Sequence, residues 1–136
     1  ITDQAQAIGL GWVTPQELDE IGLTAAVGLA MQRALDEIEI EYDQIIIDGD
    51  YNFMPDNPKA VTVIKADDTV PAVSAASILA KVARDQYMSQ LGEDYEIYEF
   101  DKHVGYGTAL HLERLKLHGI SDQHRKSFKP IAALLQ

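Results

Sequence analysis

With 136 residues, 46% of them apolar and 24% charged, the chain has the balance of a single globular domain. It has no cysteine, which excludes disulfides and thiolate metal sites. It also has no apolar run near the ~20 residues of a membrane span, and no basic-then-apolar leader pattern, so a cytoplasmic protein without a membrane partner is expected. A net charge of −11 argues at first against nucleic acid, since phosphate binding ordinarily leaves a basic footprint.

Thr14-Pro15-Gln16-Glu17 has capping-box spacing with proline at the first helical position, predicting a short helix that Gly22 ends. Thr24 is placed to cap a second helix, along which Val27, Ala30, Met31, Ala34, Leu35 and Ile38 recur at three- and four-residue steps. Asp43 to Asp48 is a short β-branched run ending on a carboxylate, as in a buried strand of a parallel or mixed sheet. A loop punctuated by Pro55, Asn57 and Pro58 leads to a second strand over Ala60 to Lys65. Ser74 to Leu91 predicts a long helix stopped by Gly92, and Ile97 to Phe100 a brief extended piece. Thr108 then caps a helix over Ala109 to His118 with Gly119 as its stop, and Pro130 opens a last short helix through Leu135. Strand, helix and loop alternate without repeats, which gives an α/β class.

The charge is unevenly spread. From Phe100 onward Lys102, Arg114, Lys116, Arg125, Lys126 and Lys129 face only Asp101, Glu113 and Asp122, whereas Arg33 is the sole Lys or Arg of the first fifty residues. A local basic face can meet a phosphate chain while the remaining surface repels it. The acidic residues between Glu17 and Glu41 read as solvated helix faces.

Asp48 and Asp67 stand at or just beyond the C-terminal ends of the predicted strands, where open α/β sheets build ligand crevices. Two carboxylates in one crevice are oxygen donors of the kind Mg²⁺ and Mn²⁺ prefer. By composition alone the first reads as a turn, Asp48-Gly49-Asp50, and the second as the start of a solvated loop. Ser74, Ser77, Lys81 and Asp85 fall on one face of the long helix. The two serines lie near its N-terminus, where free N–H groups favour a phosphate oxygen, and Lys81 and Asp85 can form an i,i+4 pair. Tyr106 sits between Gly105 and Gly107, so that a sugar or backbone can approach its ring closely. His124-Arg125-Lys126-Ser127-Phe128 is a compact basic knot, also readable as a connector whose Phe128 and Ile131 pack back on the core. His124 lacks a second histidine at zinc-like spacing within that segment. Walker, Gly-x-Gly-x-x-Gly, Gly-x-Ser-x-Gly and His-Glu-x-x-His motifs are missing, and Gly9-Leu10-Gly11 is too short for a nucleotide fingerprint.

Taken in order, Gly9-Leu10-Gly11-Trp12, Ile47-Asp48-Gly49, Lys65-Ala66-Asp67, Val73-Ser74-Ala75-Ala76-Ser77-Ile78-Leu79-Ala80-Lys81-Val82-Ala83-Arg84-Asp85, His103-Val104-Gly105-Tyr106-Gly107-Thr108 and His124-Arg125-Lys126-Ser127-Phe128 resemble the C-terminal two-thirds of ribonuclease HII. No block is specific alone; the series is. The resemblance implies a ribonuclease H-like α/β fold with a mixed sheet flanked by helices, forming one partial domain over 1–136. The family's first strand, Asp-Glu-Ala-Gly-Arg-Gly, would lie before Ile1.

It further implies an endonuclease that hydrolyses RNA in RNA–DNA hybrids and single ribonucleotides embedded in duplex DNA. Two Mg²⁺ or Mn²⁺ ions would leave a 5′-phosphate and a 3′-hydroxyl, with no obligate protein partner. On this resemblance Asp48 is a catalytic metal ligand, Asp67 a catalytic metal ligand or water-positioning carboxylate, and Tyr106 packs on the sugar at the RNA–DNA junction. Ser74, Ser77 and Lys81 are substrate contacts, while Asp85, His103, His124 and Arg125 support the site. Val104 departs from the lysine that many members carry after the histidine. With two of the family's four carboxylates, the chain alone is expected to bind metal weakly and to be nearly inactive. A non-catalytic hybrid-binding or partner-binding relic is the alternative, and another acid-dependent nuclease of the same superfold a weaker one.

Overall fold

The computed structural model describes residues 3–135. Two compact units divide the chain, one up to Ile78 and one from Leu79 onward.

In the first unit, α1 (Pro15–Ile21) starts where the sequence predicts. Thr14 Oγ accepts from the Glu17 N–H, and Glu17 reaches back to the Thr14 N–H at 2.9 Å, completing the capping box. Gly22, at φ +83°, ends this helix and is also the N-cap of α2 (Leu23–Asp36). Thr24 therefore lies inside the first turn of α2, not at its cap as the sequence suggests. The two helices follow one another with a single hinge residue, leaving no room for a separate capping turn. Arg33 of α2 grips the Glu17 carboxylate at 2.6 and 3.0 Å and donates to the Trp12 carbonyl. The guanidinium holds the Glu17 carboxyl well below the usual range, at about 2.

The Gly9-Leu10-Gly11 segment owes its glycines to this helix. A Cβ on Gly11 would stand 1.8 Å from the Ala30 carbonyl oxygen, and one on Gly9 2.0 Å from that of Ala34. These carbonyls are one helical turn apart, so the alternating glycines lay an extended backbone flat on α2. The Leu10 N–H donates to Glu37 at 3.1 Å and fixes the register. Because the obstacle is backbone, Gly11→Ala should destabilise the chain by about 1–3 kcal/mol, measurable as a lower urea midpoint at unchanged slope. An unchanged midpoint would mean that the segment is not pressed on the helix.

β1 (Ile45–Asp48) and β2 (Ala60–Val63) pair in parallel, with Asp48 opposite Val63. The Gly49 N–H continues the ladder to the Val63 carbonyl. Ile47 is buried with Ala26, Met54 and Ala66 in this unit. Beyond β2, Lys65 turns left-handed at φ +54° and leads into the short helix α3 (Ala66–Thr69).

α4 (Pro71–Asp94) begins three residues before the predicted start and runs through Gly92. In the second unit, residues 97–100 are not extended. Glu96–Tyr98 forms a 3-10 turn and Phe100–His103 a short helix, α5, linked by Glu99 in the left-handed region. No strand pairs with this segment among the described residues. Compact turns instead send Tyr98 and Phe100 into the core with Met88, Leu91, Leu115 and Ile131. α6 (Ala109–His118) has the expected Thr108 cap and Gly119 stop, and α7 (Lys129–Ala132) starts at Lys129, with Pro130 in its first turn.

Candidate active site

Asp48 ends β1, and its position is fixed by more than the strand. Its Oδ1 accepts from the Ala66 N–H at 2.8 Å, satisfying the first backbone donor of α3 where Lys65 supplies no side-chain cap. That bond ties the end of β1 to the segment bearing Asp67, the next residue along. Both carboxylates are exposed, and Asp48 retains its second oxygen for another partner. Asp67 lies in the first turn of α3, two residues past the predicted strand end. The donor chemistry, carboxylate oxygens at a strand end, fits part of a shell for a hard cation such as Mg²⁺ or Mn²⁺. Among the described residues, no group of three or more His, Cys, Asp or Glu is arranged to hold a metal ion.

The serines of α4 are placed differently from expectation. Because α4 starts at Pro71, the Ser74 N–H already donates to the Val70 carbonyl and is not a free helix-end donor. The Ser77 hydroxyl donates to the Val73 carbonyl at 2.9 Å, the usual back-bond of a serine within a helix. Lys81 and Asp85 do not form the anticipated ion pair, and no hydrogen bond joins them. Lysine N-terminal to the acid is the weaker order for such pairs.

In the second unit, Tyr106 is 59% exposed, with its ring face 5.4 Å from the Arg84 guanidinium. Arg84 also donates to the Val104 carbonyl at 2.6 Å. Val104 is left-handed at φ +47°, a conformation costing a β-branched residue on the order of 1–3 kcal/mol, and Gly105 follows at φ +82°. Two consecutive residues of positive φ produce the sharp turn that lifts Tyr106 outward.

His103 and His124 are buried, and both belong to a cluster with His111. The His103 and His111 rings stack at 4.2 Å and 10°, and His111 Nε2 lies 3.0 Å from His124 Nε2. Burial lowers the His111 pKa, and burial together with the neighbouring histidines pushes His124 down to about 4. Arg125 instead lies over the Phe128 ring at 4.6 Å, and Phe128 is 46% exposed, so of the two residues expected to pack inward only Ile131 does. Sequence reasoning passed over His111 and Arg84. The signal for His111 was its i,i+4 spacing from Leu115 on the apolar face of α6; Arg84, within the run from Val73 to Asp85, has no local signature of its own.

The ribonuclease HII family model matches residues 2–131. The chain belongs to the ribonuclease HII family. It is 44% identical to a ribonuclease HII of Marinomonas sp. (strain MWYL1), covering all of this chain and 68% of that protein. It is 41% identical to one of Bacillus mycoides (strain KBAB4), covering all of this chain and 52% of the relative. One of Shewanella halifaxensis (strain HAW-EB4) is 43% identical, over 99% of this chain and 66% of the relative. The chain thus spans about half to two-thirds of the ribonuclease HII proteins it matches. The mixed helical and parallel-strand architecture is consistent with that family, and no helix among the described residues is long and apolar enough to cross a membrane.

Proposed function

We propose that this chain forms part of a type 2 ribonuclease H. That enzyme hydrolyses the RNA strand of RNA–DNA hybrids and single ribonucleotides within duplex DNA, on a ribonuclease H-like fold. Family membership across the chain supports the class, and one local observation carries the chemistry. The Asp48 carboxylate is tethered by the Ala66 N–H beside Asp67, as two converging oxygen ligands require. A bound Mg²⁺ or Mn²⁺ pair would supply activated water and charge neutralisation at the leaving oxygen. Asp48 holds its free oxygen at a strand end, and Asp67 contributes a second carboxylate from the following helix. Tyr106 offers its exposed ring to a sugar or base, and Ser74 and Lys81 offer polar groups to the phosphate chain, with Ser77 joining them once its hydroxyl turns away from the Val73 carbonyl. His103, His124, Asp85 and Arg125 act as supporting residues.

Two carboxylates hold a divalent ion weakly, so the 136-residue chain alone should cleave far more slowly than an ordinary enzyme. The test uses Mn²⁺ and a labelled duplex carrying one ribonucleotide. Both this chain and the longest natural form of the protein containing it are assayed. Cleavage at the ribonucleotide by the longer form is expected. Binding of the duplex by that form without any cleavage would instead establish a non-catalytic relic.

A further inference from the structure

The buried histidines of the second unit have only one proton arrangement consistent with their partners. A backbone N–H can only donate, so each ring nitrogen facing one must be unprotonated. The Ser121 N–H and the Ser121 hydroxyl both lie 2.9 Å from His124 Nδ1, and because the N–H can only donate, the His124 proton is left on Nε2. That proton points at His111 Nε2, 3.0 Å away, so His111 must carry its own proton on Nδ1. His111 Nδ1–H then donates to the Tyr106 carbonyl at 3.0 Å, the same oxygen that accepts from the Thr108 N–H. His103 follows the same logic independently. Its Nδ1 accepts from the Gly105 N–H at 3.1 Å, and its Nε2–H donates to the Tyr98 carbonyl at 2.5 Å. Two of the three rings therefore end on the backbone of the Gly105-Tyr106-Gly107 turn.

We propose that His111, oriented by His124 and stacked on His103, is a positioning residue for Tyr106, and that adding a proton to this neutral chain releases the turn. The inference rests on the reading that Tyr106 contacts nucleic acid. Protonation at an accepting nitrogen would set N–H against N–H: His111 against His124, His103 against Gly105, or His124 against the Ser121 backbone, where the Ser121 hydroxyl would have to turn from donor to acceptor. Few charged or titratable groups face the rings. Asp122 lies on the turn before His124, and the Tyr98 hydroxyl is spent on the Gly119 carbonyl. Arg84 of α4 is directed at the Val104 carbonyl, and Arg114 of α6 and Lys102 of α5 are both held by Glu99. α4 and α7 otherwise present Met88, Leu91 and Ile131 to this core. The depressed His124 fixes the sign. Between its ordinary value of 6.5 and about 4, the unfolded chain takes up the proton first, so the clamp weakens as pH falls through that window.

Long-range proton–nitrogen NMR of the histidine rings in the unmodified chain tests the arrangement directly. At neutral pH, His111 should be the Nδ1–H tautomer and His103 and His124 the Nε2–H tautomers. Any other assignment, or a charged ring among them, overturns the proposal. Binding of a duplex with one embedded ribonucleotide, followed by fluorescence anisotropy without divalent metal, tests the consequence. His111→Phe should weaken binding about tenfold, near the loss expected from Tyr106→Ala. His111→Asn, whose amide can replace the Nδ1–H donor, should restore most of it. Normal binding by a folded His111→Phe variant, when Tyr106→Ala binds poorly, would refute positioning. If Tyr106→Ala itself binds normally, the nucleic-acid reading of Tyr106 fails, and the positioning proposal fails with it even where the tautomers are as derived. If His111→Phe does not fold, the tautomers together with an acid titration decide. Broadening of the Gly105 and Tyr106 amides at the pH where the rings protonate supports the clamp, and unmoved amides overturn it.

Discussion

Phe100→Ala should lower the unfolding free energy of the chain by about 3–5 kcal/mol, the usual loss for a buried phenylalanine truncated in a closed core. Phe100 is only 2% exposed, and its ring meets those of Tyr95, Tyr98, His103, His111 and His124. Five aromatic neighbours cannot all collapse into the vacated space without breaking their own hydrogen bonds. Tyr98 is tied to the Gly119 carbonyl, Tyr95 to Asp122, His103 and His111 to the Tyr106 turn, and His124 to Ser121. The cavity therefore stays open and its full cost is felt. Urea unfolding followed by far-UV circular dichroism measures the loss. A change under about 1 kcal/mol would mean that this aromatic cluster is not the packing centre of the second unit.

Asp48→Asn should reduce hybrid cleavage by more than about a hundredfold in the natural form of the protein that cleaves. Outer-shell partners of metal ligands already cost roughly 10–100-fold when removed, and a ligand should exceed them. Asparagine separates the two tasks of this residue. Its amide oxygen can still accept from the Ala66 N–H, so the β1–α3 link survives while the negative charge is lost. Stability should therefore change by well under about 1 kcal/mol, whereas Asp48→Ala, which also uncaps α3, should cost about that much. Retained cleavage by Asp48→Asn would remove Asp48 from the chemistry. Equal melting of the Asn and Ala variants would remove it from the capping of α3.

Local chemistry was legible in the sequence wherever it is self-contained. The Thr14–Glu17 box, the Thr108 cap and the Gly119 stop depend on residues within one turn of each other, and all three stand as expected. The two strands were visible as short β-branched runs of the kind that suit a parallel or mixed sheet, and they pair in parallel, although their register was not legible. Residues 97–100 were misread because Ile97, Tyr98 and Phe100 favour strands by local preference. The core of the second unit instead takes two of them from consecutive turns, and tertiary packing overrides propensity. Gly92 failed to stop α4 because a glycine inside a helix costs only about 1 kcal/mol, less than burial of Leu91 returns. Of the candidate site, the alignment of motifs singled out Asp48 and Tyr106. The coupling of Asp48 to Ala66, and of Tyr106 to His111, spans 18 and 5 residues and has no sequence signature.

Manganese titration of this chain, read by paramagnetic broadening of its amide resonances, is the most direct test of a shared cation at Asp48 and Asp67. A shared cation there should give weak, saturable broadening centred on residues 48–49 and 66–68, abolished by Asp48→Asn and also by Asp67→Asn. Broadening centred elsewhere, or unaffected by either substitution, would contradict it.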